Sequence, residues 1–529
     1  MTDSSPPAPT TVPPLQRQAA TLAGRVTANA TANIVRLFVA SVVTLFLPAY
    51  LARHLQRDIF NIWALVIQVG SFVSFLEIGI QIAVSKFVAE HHAIDDLREA
   101  STVLTNAAAI LAAAGLTGLV AMAVISLSLG RFFPAISHDL LRSAQMGVLL
   151  YGGSLSLSLP ASAFAGVFLG LQRNFPVTLL QSLGKIVFAF LVVLSVALHA
   201  PIIATIALAG IATLLTAAAQ VLLTRTMVPQ IHFAAEYLNR TAARTILSYC
   251  SYLSIWFVSM LFISGLDTTL VAHFDFAATA AYAITAILTS FISSVQGSFL
   301  SPLIPATSAL SKHQSPEYLG GVLTRFTRYT SLIAILTSLP FFLVGHRLLV
   351  MWVGHPLADQ GIHFLWILSA AVAIRQFSLT YSVMVLGLGK QKLATISPAA
   401  EGIVNLTCSI LLAIKYGAIG VAYGTFIGAF VGLAVHLFYS MQFTRPVLAV
   451  SRARLVLQGF LRPSILFLPT LLLAPYWMRL RPLSWITLAA AGCTTVALLF
   501  LVCLNPTDRY RLSQFAQRLR QRALGRCPL

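Results

Sequence analysis

The sequence predicts an all-α polytopic membrane protein with about 14 transmembrane helices, arranged as two pseudo-symmetric six-helix lobes plus two C-terminal helices. Three observations predict this class. The 529 residues are 58% hydrophobic and only 9% charged, whereas a soluble globular protein carries about 25% charged residues. The mean hydropathy is +0.85. Nearly all of residues 29–505 fall in apolar runs close to the length, about 20 residues, that crosses a bilayer as a helix.

Fourteen apolar runs give the predicted helices in chain order. The first six are residues 29–52, 62–84, 103–129, 144–170, 176–198 and 202–223. The next six are residues 246–271, 278–303, 329–344, 361–388, 396–414 and 419–441. Two more follow at 464–478 and 483–503. The run 464–478 is short enough to be re-entrant, which leaves twelve or thirteen spans as alternatives.

These runs divide the chain into five predicted segments. They are a disordered cytoplasmic N-terminal tail (1–28), an N-lobe of helices 1–6 (29–226), a C-lobe of helices 7–12 (227–445), the additional helices 13–14 (446–505) and a basic cytoplasmic tail (506–529). With the N-terminus inside, 23 of the 34 Lys and Arg residues lie in cytoplasmic segments and 8 in outer loops. This bias predicts that both termini are cytoplasmic.

The two lobes are predicted from an internal repeat. At an offset of 217 residues, Gly170-Leu171 aligns with Gly387-Leu388, and the basic residue Arg173 aligns with Lys390. Further matches recur at an offset of 219. Offsets of this size are about six helices long, which indicates parallel repeats of the kind that hold a transporter's substrate between two halves.

Other chemistries find little support in the sequence. The net charge of +19 does not indicate nucleic acid, because the basic residues are spread over short connections between apolar runs. The His and Asp residues at 91–96 belong to a charged loop and are more typical of a solvated loop than of a metal site. The stretch 387–391 is not a phosphate-binding P-loop, since Gln391 stands where that motif needs Ser or Thr. The sequence therefore predicts neither a metal nor a cofactor, and a transporter without an ATP motor rather than an enzyme.

Three basic residues lie inside the predicted spans, where an ionised side chain is costly and normally faces water or a partner. They are Arg36, Lys185 and Arg375. We interpret them as candidates for binding an anionic cargo in a wet cavity. The alternatives are a structural ion pair for Arg375, a side chain that snorkels to the interface for Arg36, and an ion pair of Lys185 with Glu401.

Three acidic residues also lie in or at the ends of predicted spans, namely Glu77, Asp267 and Glu401. Each is a candidate for ion coupling, because a carboxyl group in an apolar environment can take up and release a proton or hold Na⁺. The alternative is that these side chains cap a helix, pair with a base or lie at the membrane interface.

Glycines recur at four-residue spacing in two predicted helices, and such stripes let helices pack backbone to backbone. The members are Gly166 and Gly170 in helix four, and Gly420, Gly424, Gly428 and Gly432 in helix twelve. We predict static helix packing, with a sliding contact used during transport as the alternative.

Loose aromatic and glycine motifs of a transporter family recur along the chain. They are Phe60-Asn61-Ile62-Trp63, Phe75-Leu76-Glu77-Ile78-Gly79-Ile80, Gly170-Leu171-Gln172-Arg173 and Tyr416-Gly417-Ala418-Ile419-Gly420. In them the chain resembles the bacterial polysaccharide transporters, the O-antigen-type lipid-linked oligosaccharide flippases of the multidrug/oligosaccharidyl-lipid/polysaccharide exporter superfamily. The resemblance covers about residues 33–439. Asn61 and Glu77 depart from the Gly and Asp of many relatives.

The resemblance implies a two-lobe fold that works by alternating access and a cationic cavity that receives a pyrophosphate. The expected activity is translocation of a polyprenyl-diphosphate-linked oligosaccharide, an O-antigen or exopolysaccharide repeat unit, across the bacterial inner membrane. Its diphosphate is expected near Arg36, Lys185 and Arg375. Expected partners are that lipid-linked oligosaccharide, membrane lipids, H⁺ or Na⁺, and a polysaccharide polymerase or ligase. A multidrug or cation extruder of the same fold and a lipid II flippase are the alternatives.

Overall fold

Helices account for every regular element that the structure describes. The computed structural model describes residues 36, 38–77, 79–300, 303–311 and 314–465. Within these residues, ten helices are long and apolar enough to cross a membrane, and the pair His138–Ser158 and Ala161–Gly170, bent by 40°, makes an eleventh if it is one span. The predicted class, an all-α polytopic membrane protein, is confirmed.

The helices follow the predicted order. The N-terminal ones are α1 (Phe38–His54), α2 (Arg57–Ser71), α3 (Ile80–His92), α4 (Leu97–Phe132), α5 (His138–Ser158), α6 (Ala161–Gly170), α7 (Asn174–Ala197) and α8 (Ile202–Met227). Then come α9 (Arg240–Met260), α10 (Asp267–Phe274), α11 (Thr279–Leu300), α12 (Leu303–Leu310), α13 (Pro316–Val353), α14 (His355–Gly387), α15 (Gln391–Tyr416) and α16 (Ala418–Val435). Within the described residues, the first twelve predicted runs fall on these helices, and the runs 62–84, 144–170 and 246–271 are each divided between two of them. The predicted helices 13 and 14 lie outside the described residues from 466 onward.

Two of the longest helices begin at side-chain caps. The Asp96 carboxylate accepts a hydrogen bond from the Glu99 backbone N–H at the start of α4. The Ser315 hydroxyl accepts one from the Tyr318 N–H at the start of α13, where Pro316 occupies the first turn. Such caps satisfy N–H groups that have no partner within the helix, and proline is tolerated at that position because it lacks one.

Several helices are interrupted by non-helical residues or wide turns. Within α13, which contains Pro340, Val344 is non-helical (φ −131°). Wide π-helical turns occupy Leu261–Gly265, between α9 and α10, and His436–Ser440, directly after α16. A π-turn exposes backbone carbonyls that need other donors, and such turns are common at functional sites.

The chain divides into two compact units, with the division after Ser254. In the first unit, α5 packs against α2, α4 and α8, and α7 packs against α8. In the second unit, α15 packs along α16, while α14 packs against α11, α13 and α16. The predicted segment boundaries at 226/227 and 445/446 stay predictions.

Helix starts and helix ends recur in the two units at the same spacing. Helix α5 begins at His138 and α14 at His355, 217 residues later. The helix ends at Gly170 and Gly387 are each followed by a left-handed residue, Gln172 (φ 55°) and Gly389 (φ 72°). The next N–H, that of Arg173 or Lys390, then bonds back to the carbonyl five residues earlier, at 2.9 and 3.1 Å. The sequence repeat therefore corresponds to a repeated backbone turn.

Candidate functional site

A cluster of oxygen atoms lies buried in the second unit, around the Asp267 carboxyl at the start of α10. Asp267 is 5% exposed, and its Oδ2 accepts hydrogen bonds from the hydroxyls of Tyr282 (3.1 Å) and Thr425 (3.0 Å). No basic side chain among the described residues lies within ion-pairing distance of it. The positive charge of Arg375 acts on this carboxyl from further away. A buried carboxylate is costly unless it is compensated, so these donors and this charge matter.

Three more oxygens extend the cluster along α15 and α16. The Thr425 hydroxyl lies 3.2 Å from the Val421 carbonyl, and the Ser409 hydroxyl lies 3.2 Å from the same carbonyl. Ser409 also lies 3.0 Å from the Asn405 Oδ1. We call Asp267, Asn405, Ser409, Val421 and Thr425 the oxygen cluster.

Donors are too few for the acceptors of the oxygen cluster. The Thr425 hydroxyl has one proton but two acceptors, Asp267 and Val421. The Ser409 hydroxyl has one proton and also two acceptors. The Asn405 amide NH₂ donates to the Phe262 and Ile263 carbonyls of the π-turn at 3.0 and 2.7 Å, and Asn405 also interacts with the Asp267 carboxyl. The unused lone pairs suit a proton or a small cation, since hard cations take oxygen ligands.

Four glycines of α16 hold the α15 part of this cluster in place. A Cβ at Gly428 would lie 2.8 Å from the Asn405 Cβ, and one at Gly432 would lie 2.8 Å from the Glu401 Oε2. A Cβ at Gly424 or Gly420 would come closer still, to Ser409 and Leu412 respectively. The two helices thus run in antiparallel register, with a glycine opposite each inward residue of α15. Larger residues would separate the helices and move the oxygens of Asn405 and Ser409 apart.

Arg375 and Glu401 form a buried ion pair in the same unit. The Arg375 Nε donates to the Glu401 Oε1 at 2.6 Å, and the two side chains are 21% and 6% exposed. Nη2 of Arg375 is buried without a hydrogen-bond partner among the described residues. Glu401 therefore pairs with Arg375, where the sequence left Lys185 as the alternative partner.

Two basic side chains in the first unit, Arg36 and Lys185, have no acidic partner among the described residues. We call them the basic pair, because their charges act on each other. Lys185 lies about 16 Å along α7 from its start, on the helix face that buries Thr178, Ser182 and Val192. It is nonetheless exposed.

Arg36 lies two residues before Phe38, where α1 begins, and it is helical and exposed as well. Both members of the basic pair are therefore exposed bases in the first unit.

The remaining predicted residues lie in the first unit and are not members of the basic pair. Glu77 ends a 3₁₀ turn, Phe72–Glu77, and is half-buried. Gly166 and Gly170 lie on α6 against α3, where a Cβ would approach the Val84 Cβ at 2.8 Å and the Ser85 carbonyl at 2.6 Å.

Sequence reasoning did not select Asn405, Ser409, Val421 or Thr425 as site residues. A signal was present in the sequence, because Glu401, Asn405 and Ser409 are polar residues spaced four apart in an apolar run. The glycines that oppose them on α16 are also spaced four apart. Arg328 directly precedes the predicted run 329–344, and it lies within α13 and is 5% exposed. In the part of the chain that the structure describes, no group of three or more His, Cys, Asp or Glu residues could hold a metal ion.

Comparisons with solved structures identify the fold. A lipid II flippase, MurJ, in an inward closed conformation matches with a TM-score of 0.68 at 13% identity, over 89% of this chain and 97% of that one. An inward-facing MATE family multidrug resistance transporter of the MOP superfamily matches with a TM-score of 0.58 at 14% identity, over 78% of this chain and 99% of that one. A MOP superfamily transporter from Pyrococcus furiosus, described by the reverse polarity of its binding pocket, matches with a TM-score of 0.54 at 14% identity, over 80% and 96%.

No family model and no curated protein sequence matches the chain. The three structural matches cover nearly the whole length of each neighbour, while identity stays at 13–14%. Likeness of this kind shows shared architecture. The chain is a multi-pass membrane protein with the fold of MurJ and of the MATE transporters of the MOP superfamily.

Proposed function

We propose that this chain is a flippase for a polyprenyl-diphosphate-linked oligosaccharide, an O-antigen or exopolysaccharide repeat unit. It moves this lipid by alternating access across the bacterial inner membrane, with both termini in the cytoplasm. A polysaccharide polymerase or ligase receives the product. No bond is made or broken, so the protein is a transporter and not an enzyme.

The basic pair carries this proposal. Arg36 and Lys185 are two like charges that act on each other, and among the described residues neither forms an ion pair with an acid. Such an arrangement is unfavourable in an apolar helix bundle unless water or an anion compensates it. A diphosphate carries two or more negative charges and accepts charge-assisted hydrogen bonds from both side chains, with the arginine fork suited to bidentate binding. We propose Arg375 as a further base, which meets the cargo at another stage of the cycle after leaving Glu401.

The positive charge of the basic pair also distinguishes between the alternative functions. A drug cation would be repelled by the basic pair, so a multidrug extruder is disfavoured. A lipid II flippase shares the diphosphate chemistry and differs only in the sugar. The fold of MurJ supports a lipid-linked cargo in general, and the choice between the two sugars rests on the resemblance of the motifs to polysaccharide transporters.

Reconstituted transport tests the function directly. The full chain in proteoliposomes is expected to move a fluorescent polyprenyl-diphosphate oligosaccharide between leaflets, because its diphosphate is compensated by the basic pair. The measurement is the fraction of label that becomes accessible to a membrane-impermeant quencher. Lipid II and a fluorescent drug cation serve as competing cargoes. Faster movement of the cation than of the diphosphate lipid would contradict the proposal.

The oxygen cluster is the proposed coupling site for H⁺ or Na⁺, with Asp267 as the group that takes the ion and Glu77 and Glu401 as further candidates. Asp267→Asn keeps the size of the side chain and removes its charge. We expect it to lower gradient-driven transport by at least about tenfold, since one charge-assisted contact is worth about 1.5–3 kcal/mol. The measurement compares initial rates under an imposed Na⁺ gradient and an imposed pH gradient.

Thr425→Val should reproduce this loss, because it removes another oxygen of the cluster. Thr407→Val is the matched control, since Thr407 lies on the neighbouring helix α15 but is exposed and bonds only to its own helix. If Asp267→Asn keeps the wild-type response to both gradients, the oxygen cluster is not the coupling site.

A further inference from the structure

A cavity of about 560 Å³ lies in the second unit, where the chain turns after the end of α16. Its lining includes Gln442, Arg445, Ser451 and Arg452. The volume lies within the range of small-molecule sites, about 300–1,000 Å³. None of these residues belongs to the oxygen cluster, the basic pair or the Arg375–Glu401 ion pair.

The walls of this cavity are held by hydrogen bonds. The Ala449 N–H donates to the Pro316 carbonyl at 3.0 Å, which ties the turn to the start of α13. The Ser451 hydroxyl accepts from the Arg454 N–H at 3.2 Å. The Arg452 Nη2 donates to the Phe438 carbonyl at 3.2 Å, and its guanidinium lies 5.8 Å from the Phe438 ring centre. The cation is therefore positioned before any ligand arrives.

Positive charge dominates the cavity and its surroundings. Among the described residues neither Arg445 nor Arg452 forms an ion pair, although Glu317 lies in the first turn of the neighbouring α13. The sequence contains no Asp or Glu between Glu401 and Asp508. The two guanidinium groups therefore lack a local counter-charge, and an anion with several acceptor oxygens would supply one.

Exposed aromatic rings next to the cavity indicate its level in the membrane. Phe438, Tyr439 and Phe443 are 67%, 46% and 50% exposed, and the rings of Tyr439 and Phe443 are 4.9 Å apart. Tyrosine is enriched where lipid headgroups meet water, as expected for Tyr439, while the apolar rings of Phe438 and Phe443 suit the adjoining acyl chains. A phosphate-bearing ligand at this level is most simply the headgroup of a membrane lipid, with its acyl chains beside the exposed rings.

We propose that the cavity binds the phosphate headgroup of an anionic membrane lipid, with Arg445 and Arg452 as the phosphate ligands. Basic pockets at the ends of membrane helices recognise such headgroups through the same chemistry. The site is separate from the transported cargo, and the inference does not depend on the proposed function.

Lipid titration of the purified full chain tests the proposal. The probes are phosphatidylglycerol and phosphatidylcholine, added to the detergent-solubilised protein, and the fraction of lipid-bound protein is read by native mass spectrometry. The variants are Arg445→Gln and Arg452→Gln, and the matched control is Arg454→Gln, which removes a charge from the same segment outside the cavity. Thermal unfolding of each variant shows whether it remains folded. Inorganic pyrophosphate is added as a competitor in a separate arm.

Wild-type protein should prefer phosphatidylglycerol, and each cavity variant should weaken its binding about fivefold while Arg454→Gln leaves it within about twofold. Equal loss in all three variants would overturn the proposal in favour of general surface attraction. Equal binding of the two lipids would overturn it as well. Displacement of phosphatidylglycerol by an equal concentration of pyrophosphate would mean that the cavity takes free phosphates and not a lipid.

Discussion

Replacing both members of the basic pair with glutamine is expected to lower transport of a diphosphate-linked lipid by about two orders of magnitude or more. Arg36 and Lys185 would each lose a charge-assisted interaction with the diphosphate, and such interactions are worth about 1.5–3 kcal/mol apiece. Expression and thermal stability should stay near wild type, because both side chains are exposed and neither has an acidic partner among the described residues. The measurement is the initial rate of flipping in proteoliposomes, normalised to the amount of inserted protein.

Two further variants serve as controls for the basic-pair experiment. Arg36→Lys with Lys185→Arg keeps both charges and should retain most of the activity. Arg225→Gln removes a charge from an exposed position in the last turn of α8, outside the basic pair, and should have little effect. Normal transport by the double glutamine variant would exclude the basic pair from cargo binding, and with it the observation on which the proposed function depends.

Breaking the ion pair between Arg375 and Glu401 is expected to give the largest loss of stability. Arg375→Met leaves the Glu401 carboxylate buried and uncompensated, which costs about 3–5 kcal/mol. A typical domain has a free energy of unfolding of only about 5–15 kcal/mol. The single variant should therefore unfold at a clearly lower temperature in detergent, and its loss of transport could not be assigned to cargo binding alone.

The double variant Arg375→Met with Glu401→Gln separates stability from transport. It removes both charges, so we expect it to regain most of the lost stability, and the coupling energy from the double-mutant cycle measures the ion pair. Transport should remain low, because the proposed further base for the cargo and one candidate coupling group are both missing. If the two losses of stability simply add, the ion pair does not stabilise this unit. If the stable double variant transports normally, Arg375 has no role beyond the pair.

The lengths of the apolar runs were enough to predict the order of the helices. Each such run must satisfy its backbone hydrogen bonds internally, as a helix, in the membrane. The first twelve runs correspond to described helices, and the repeat at 217 residues reappears as the turn shared by Gln172 and Gly389. Helix ends were less well predicted. The run 329–344 belongs to α13, which extends from Pro316 to Val353, since polar residues at both ends continue the helix beyond the apolar run.

The partners of the charged residues could not be predicted in this way. Sequence spacing gives the face of a helix on which Glu401 lies, but the helix opposite that face depends on packing. The glycines of α16 bring its backbone against α15, and α14 then places Arg375 beside Glu401. The π-turn before α10 frees carbonyls that orient Asn405, and no hydropathy pattern signals such a turn.

The sequence by itself determined the class of this protein, the order of its helices and the few charges that the membrane makes costly. Those properties are local, because they depend on the composition and period of single segments. Only the tertiary structure decided that Arg375 is neutralised by Glu401, that Arg36 and Lys185 have no acidic partner among the described residues, and that oxygens of five residues, Asp267 among them, form one cluster. These properties depend on contacts between residues as far apart as Asp267 and Thr425, which helix packing brings together.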